Sequence, residues 1–232
     1  MKVLIICAHP DDEALGCGGT IARHVALGDD VQVLFLSEGV TSRFSSDEDV
    51  DEIAKIVDRE SFAFRAADIL KFKIIQFFRH PNLRMSGVPM LDMVKSVDTV
   101  IRDLEPDLIY THHSGDMNSD HRIVFEIVLT ACRPRDNFFL KGLYCFETPS
   151  STEWSSPLLG AAFVPNRFVD ITPYFSLKMS AIDAYAYEMR DYPHPRSLEN
   201  IKALAQFRGA SCGIELAEAF MVVRDCQYSP CL

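Results

Sequence analysis

A short apolar run, Val3-Leu4-Ile5-Ile6-Cys7, leads directly into Ala8-His9-Pro10-Asp11-Asp12-Glu13-Ala14-Leu15-Gly16-Cys17-Gly18-Gly19. This junction constrains the fold more than any other part of the chain. The run has no polar side to offer solvent, so it reads as a parallel strand buried on both faces. The pattern behind it is helical and ends near Leu27-Gly28. His9, Asp11 and Asp12 therefore fall where a strand stops and a helix begins. In open α/β sheets that carboxyl edge is where ligands bind.

The same alternation continues. Apolar runs at 31–36, 73–78 and 108–111 read as strands, and helical spacing covers about 51–70, 91–104 and 123–131. Polar, glycine- and proline-bearing stretches at 37–49 and 79–89 read as loops over the same sheet edge. This β-α order predicts a parallel sheet with right-handed crossovers. Further on, 142–146, 167–171 and 218–224 read as strands, and 176–189 and 197–207 as helices. Between those helices lies a stiff double-proline loop at 191–197, and there is no repeat or linker. The expectation is one domain over 1–232, with an N-terminal α/β part to about 135 and a C-terminal extension of the sheet.

Composition narrows the function. A net charge of −10 argues against nucleic-acid binding through a basic surface. No apolar run approaches the roughly 18 residues of a membrane span. Met1-Lys2 runs straight into the first strand, leaving no room for a secretory signal, so the expected location is cytoplasmic. Seven cysteines without zinc-ribbon spacing read mostly as buried, reduced thiols.

A second rich stretch, Thr111-His112-His113-Ser114-Gly115-Asp116-Met117-Asn118-Ser119-Asp120-His121-Arg122, follows the 108–111 strand. It arrives at the same sheet edge as the first. His9, Asp12 and His121 then make a two-histidine, one-carboxylate set, which suits catalytic zinc or iron(II). Zinc comes first because the chemistry on offer is hydrolysis. It polarises a carbonyl and lowers the pKa of its water to roughly 7. Asp11 cannot easily share the ion with its neighbour, so it is free to act as general base. Asn118 and His194 are the candidate oxyanion donors.

Blander roles compete for some of these residues. An aspartate in the first turn can simply cap a helix, although a second cluster at the same edge would then be coincidence. Strand alternation lets only one of His112 and His113 face the site, and His113 is the one expected to point away. His24 and His80 are expected at the surface. Phe62, Phe64, Phe77 and Phe78 are expected in the core, as is a helix face of Ile53, Ile56, Val57, Phe64, Ala67 and Leu70. Gly16, Gly18 and Gly19 fit no nucleotide fingerprint and read as close packing of the helix start on the sheet.

The AHPDDEALGCGGT and PDLIYTHHSGDMNSDHR stretches, with the later YPHPRS and GIELAEAF segments, resemble the PIG-L/LmbE family of zinc-dependent N-deacetylases of N-acetylglucosamine-type sugars. The resemblance covers nearly the whole chain. It implies a Rossmann-like three-layer α/β/α fold with a mostly parallel sheet and one Zn2+ per chain, with Fe2+ as the alternative. It also implies metal ligands His9, Asp12 and His121, general base Asp11, and Arg59 as a substrate contact, joined in the expected site by His112 and Asp116. Many members carry His-x-x-His where this chain has Asn118-x-x-His121. The oxyanion donor is therefore expected to be His194, with Asn118 orienting the loop, in the same chain or across a homo-oligomer. The expected partner is a small amino-sugar substrate. Rival readings are an amidohydrolase acting on another N-acyl group of a natural-product glycoside, a non-catalytic metal- or sugar-binding module, and an oxidative iron enzyme.

Overall fold

The computed structural model describes residues 1–43, 51–135, 138, 140–156 and 162–229. Among the described residues, seven strands form one sheet: β1 (Lys2–Cys7), β2 (Asp30–Ser37), β3 (Lys73–His80), β4 (Leu108–His112), β5 (Gly142–Phe146), β6 (Arg167–Asp170) and β7 (Ala217–Asp225). Their spatial order is β3-β2-β1-β4-β5-β7-β6. The first five are parallel, and β7 runs antiparallel to both β5 and β6. The helices are α1 (Asp12–Ala26), α2 (Glu52–Leu70), α3 (Met90–Leu104), α4 (Ser119–Ala131), α5 (Phe175–Asp183) and α6 (Leu198–Ala210).

The β1 run is buried on both faces, as its lack of polar residues requires. Val3, Ile5 and Cys7 pack with Val33 and Phe35 against α1, α2 and α5. Leu4 and Ile6 pack with Leu34 and Leu36 against α3 and α4. The result is a three-layer α/β/α arrangement around a mostly parallel sheet. From β1 the chain builds outward through β2 and β3 on one side, and through β4 and β5 on the other. The loops after β1 and β4 therefore diverge above a crevice at the switch point of the sheet. Those loops carry the two histidine- and aspartate-rich stretches.

Several expectations need correction. The helix expected from 123 begins at Ser119, because Asn118 Oδ1 accepts the Asp120 N–H at 2.9 Å. That cap brings Asp120 and His121 into the first turn of α4. The helix expected over 176–189 stops at Asp183, followed by a 3-10 turn at Ala186–Glu188. The break lets Tyr185 and Glu188 turn inward, where Tyr185 donates to Glu13 and Glu188 meets Arg59.

The buried stripe of α2 is Arg59, Ala63, Ala66, Ala67 and Leu70, whereas Ile53, Val57 and Phe64 are exposed. Spacing offered two faces. The one chosen brings small residues against the core and Arg59 into an ion pair. Phe62, Phe77 and Phe78 are only partly buried. His24 is buried rather than superficial, bonded to Asp29 at 2.7 Å and to the Tyr110 hydroxyl at 3.0 Å. His80 is half-buried. The glycines pack closely, with Gly16 against the Phe146 ring and Gly19 against Ile171. Cys7, Cys17, Cys132 and Cys145 are buried, Cys212 is exposed and Cys226 is half-buried, while Cys231 lies outside the described residues.

Candidate metal and active site

The loop between β1 and α1 is unusually built. Asp11 has φ 135°, a left-handed value costly for a residue with a side chain. Although it stands at the N-cap position, its carboxylate caps nothing. Instead it turns away from the helix, leaving Asp12 to face the crevice. Asp12 Oδ2 accepts the His9 backbone N–H at 2.8 Å, which closes the turn.

His9, Asp12 and His121 each present a ligand atom, all within 4.8 Å of one another, and all three residues are buried. His121 Nε2 lies 3.4 Å from Asp12 Oδ1, and His9 Nδ1 lies 3.4 Å from Asp12 Oδ2. The far nitrogen of each imidazole meets another carboxylate. Asp120 Oδ2 is 3.1 Å from His9 Nε2, and Asp116 Oδ2 is 3.2 Å from His121 Nδ1. Such carboxylate–histidine pairs fix the ring tautomer and aim the other nitrogen at an ion.

The donor set fits a divalent cation for a second reason. Asp12 Oδ1 is fully buried and has no hydrogen-bond partner among the described residues. An orphaned carboxylate oxygen is costly unless a cation meets it. Burial pulls His9 down, but Asp12 and Asp120 outweigh it and raise the imidazole to about 9. Burial raises Asp12, yet His121 and His112 hold it well below the carboxylate range. The pocket is thus already organised around positive charge.

Residues 4–132 match the GlcNAc-PI de-N-acetylase model, PIG-L. The chain belongs to the PIG-L family. "Uncharacterized deacetylase YaiS" of Escherichia coli is 28% identical over 186 residues, 78% of this chain and 88% of that one. The diacetylchitobiose deacetylase of Thermococcus kodakarensis is 26% identical over 229 residues, 96% and 83% of the two chains. The 4-oxalmesaconate hydratase of Pseudomonas putida is 26% identical over 201 residues, 80% and 73% of the two chains.

In this PIG-L chain the remaining expected residues are placed as follows. His112 is fully buried beneath the cluster. Its Nε2 accepts the Ala8 N–H at 2.9 Å, lies 3.2 Å from Asp12, and its ring stacks on His121 with centroids 3.8 Å apart. Burial and the neighbouring His121 pull His112 down to about 4, so it is neutral near pH 7. Asp116 is 1% exposed, and its oxygens serve Ser151, Thr152, the Asn118 N–H and His121. Neither His112 nor Asp116 offers a surface to a substrate. Both instead contact the candidate ligands, His112 meeting Asp12 and Asp116 meeting His121, where they were expected to meet a substrate. His113 points elsewhere, edge-on to Phe163, as alternation required.

Arg59 is also buried, and its contacts are with the protein. Its Nη2 lies 3.1 Å from Asp11 Oδ2, its Nε donates to the Pro10 carbonyl at 2.8 Å, and its Nη1 pairs with Glu188. Sequence reasoning missed a second arginine. Arg196 Nη1 donates to the same Asp11 Oδ2 at 2.8 Å and lies 3.5 Å from Glu188, while its Nε donates to Ser150 Oγ at 2.8 Å. Arg196 belongs to the YPHPRS segment, two residues after His194. Burial pushes the Asp11 carboxyl up while the two guanidiniums oppose it. Below Asp11, burial pushes Glu13 up to about 8, and Tyr185 donates to it at 2.6 Å.

His194 is half-buried. Its Nδ1 accepts the Arg196 N–H at 3.1 Å, which assigns the proton of a neutral ring to Nε2. Asn118 is committed through Oδ1 to capping α4.

Proposed function

We propose that this chain is a zinc-dependent deacetylase that hydrolyses the N-acetyl group of an N-acetylglucosamine-type sugar or its conjugate. One arrangement carries the reading: a His9–Asp12–His121 donor set with a second carboxylate, Asp11, beside it but turned out of it by two arginines. A binding module has no need of that extra carboxylate. A zinc ion held by His9, Asp12 and His121 supplies a Lewis acid for the amide carbonyl and for water. Asp11 takes the proton of the attacking water and delivers it to the leaving amine, so acetate and the free amino sugar leave. Arg59 and Arg196 hold the Asp11 carboxylate in one orientation throughout. His194, with its proton on Nε2, donates to the developing oxyanion, while Asn118 fixes the turn that presents His121.

A second reading rests on the likeness to the 4-oxalmesaconate hydratase. The same set would then add water to a carbon–carbon double bond of an unsaturated polycarboxylate. Both arginines beside Asp11 are already engaged by Asp11 and Glu188, which favours a neutral acetamido substrate.

The deciding experiment is acetate release by zinc-loaded enzyme from N-acetylglucosamine, N,N'-diacetylchitobiose and UDP-N-acetylglucosamine. Loss of ultraviolet absorbance from 4-oxalmesaconate is measured in parallel. Acetate release that disappears in Asp11→Asn supports the deacetylase. Absorbance loss without acetate release from any sugar overturns it.

A further inference from the structure

Trp154 is the only tryptophan of the chain, and half of its surface is exposed. Other aromatic rings are as exposed, Tyr187 and Phe207 among them, but Trp154 is set apart by its place beside the candidate site. Its indole meets the His194 ring edge to face, with centroids 5.4 Å apart. His194 is held by the Arg196 N–H, and the Arg196 side chain reaches Asp11. On its other side, the turn carrying Trp154 is tied to the metal-ligand cluster. Ser151 and Thr152 donate to Asp116, which holds His121. Glu153 closes that turn by accepting the Ser150 and Ser151 N–H groups at 2.6 and 3.3 Å. Trp154 thus stands on a rigid segment, pinned by the support of a metal ligand and abutting the loop that holds the proposed base.

We infer that Trp154, backed by His194, is the stacking ledge of a carbohydrate subsite, taking the pyranose ring next to the N-acetylated one. This rests on the deacetylase reading and on His194 facing the reacting amide. With His194 at that amide, the indole packed beside it, centroids 5.4 Å apart, is placed to meet the adjoining ring. The C–H face of a pyranose is apolar with outward positive hydrogens and complements the negative face of an indole. The preferred substrate is therefore a glycoside or oligosaccharide rather than the free monosaccharide.

The single tryptophan supplies the test. Zinc-loaded enzyme is titrated with the deacetylated products chitobiose and glucosamine while tryptophan emission is recorded. Chitobiose should give a saturable change in Trp154 emission and bind about fivefold to tenfold more tightly than glucosamine, the scale of one aromatic stacking contact. In acetate release, Trp154→Ala should raise KM for N,N'-diacetylchitobiose by a similar factor with kcat within about twofold. It should leave KM for N-acetylglucosamine unchanged, and Trp154→Phe should restore most of the loss. Unchanged emission at saturating chitobiose, or an unaltered disaccharide KM in Trp154→Ala, overturns the ledge. If no sugar releases acetate, the deacetylase reading fails by itself, and the emission titration of the unmodified chain still decides whether a sugar sits on Trp154.

Discussion

Arg196 donates to Asp11 across 185 positions of sequence, Nη1 to Oδ2 at 2.8 Å. The same oxygen is met by Arg59 at 3.1 Å. One carboxylate oxygen is thus fixed by two guanidiniums, which leaves the other for the proton transfer proposed for Asp11. Arg196 comes from beyond the segment matched by the family model, which ends at 132. The C-terminal third therefore completes the site rather than merely extending the sheet. Hydrogen bonds to charged groups are worth roughly 1.5–3 kcal/mol. Arg196→Met should accordingly lower kcat about 10- to 100-fold with zinc fully loaded, and Arg196→Lys should recover part of it. Kinetics at saturating substrate, with melting curves to confirm the fold, make the measurement. A kcat within twofold of the parent would remove Arg196 from the machinery.

His194 and Asn118 are separable because their partners differ. Asn118 caps α4, and removing such a cap costs roughly 1 kcal/mol of stability. His194 caps no helix: its Nδ1 accepts the Arg196 N–H of its own loop, and it keeps a donor on Nε2. His194→Ala should lose about two orders of magnitude in turnover, the usual scale for an oxyanion donor, with a small change in melting temperature. Asn118→Ala should show the reverse emphasis. The opposite pattern in steady-state kinetics and thermal melts would assign the donor to Asn118.

What the sequence disclosed and what it withheld divide along physical lines. The strands were legible because β1 through β5 are short runs rich in apolar residues that alternate with segments of helical spacing. The sheet edge was legible because two histidine- and aspartate-rich stretches each follow a strand. His9, Asp12 and His121 were named from that, and the fold brings them within 4.8 Å. Long-range ion pairs were not legible. Nothing in Arg196 or Glu188 distinguishes it locally from a solvated charge, and the resemblance that implies Arg59 as a substrate contact does not disclose its partners in the β1–α1 loop and beside α5. The α2 face was legible only in part: Ala67 and Leu70 are buried, but Ile53, Val57 and Phe64 are exposed, and Arg59 is turned inward to pair with Asp11. His112 and Asp116 lie in the expected stretch and are buried beneath the cluster, a depth that spacing alone does not give.

Gly16 reverses an ordinary expectation. Replacing a helical glycine by alanine normally gains up to about 1 kcal/mol. At Gly16 a Cβ would stand 2.3 Å from the Phe146 ring, which itself meets His112 edge-on at 4.8 Å. Overpacking costs about 1–3 kcal/mol, so Gly16→Ala should be destabilised. Because Phe146 bears on His112, zinc affinity should fall as well. Gly87, with nothing within 4 Å of an added Cβ, is the control and should tolerate alanine. Thermal melts and competitive zinc titration of both variants check the pair. Equal behaviour of the two would mean that the Phe146 contact relaxes freely.

Asp107 ties together the starts of three strands. Its Oδ2 accepts the Lys2 N–H at 2.8 Å, its Oδ1 meets Lys141 Nζ at 2.7 Å, and its carbonyl accepts the Lys141 and Gly142 N–H groups at 2.8 and 3.2 Å. Partial burial pushes the carboxyl up, but Lys141 and the Lys2 N–H outweigh it and hold the group below its ordinary range. The folded chain therefore binds this proton less readily than the unfolded chain, whose aspartates titrate near about 3.9. The stabilisation is complete above that value and drains away as pH falls through the depressed one. Asp107→Asn should melt about 2–4 °C below the parent at pH 7, as expected for a loss near 1 kcal/mol in a domain of this size. The gap should begin to narrow as pH falls through about 4 and keep narrowing below it as the parent's own depressed carboxylate is neutralised. Melting curves across that range give the answer, and a gap independent of pH would show that the ionised form of Asp107 contributes nothing.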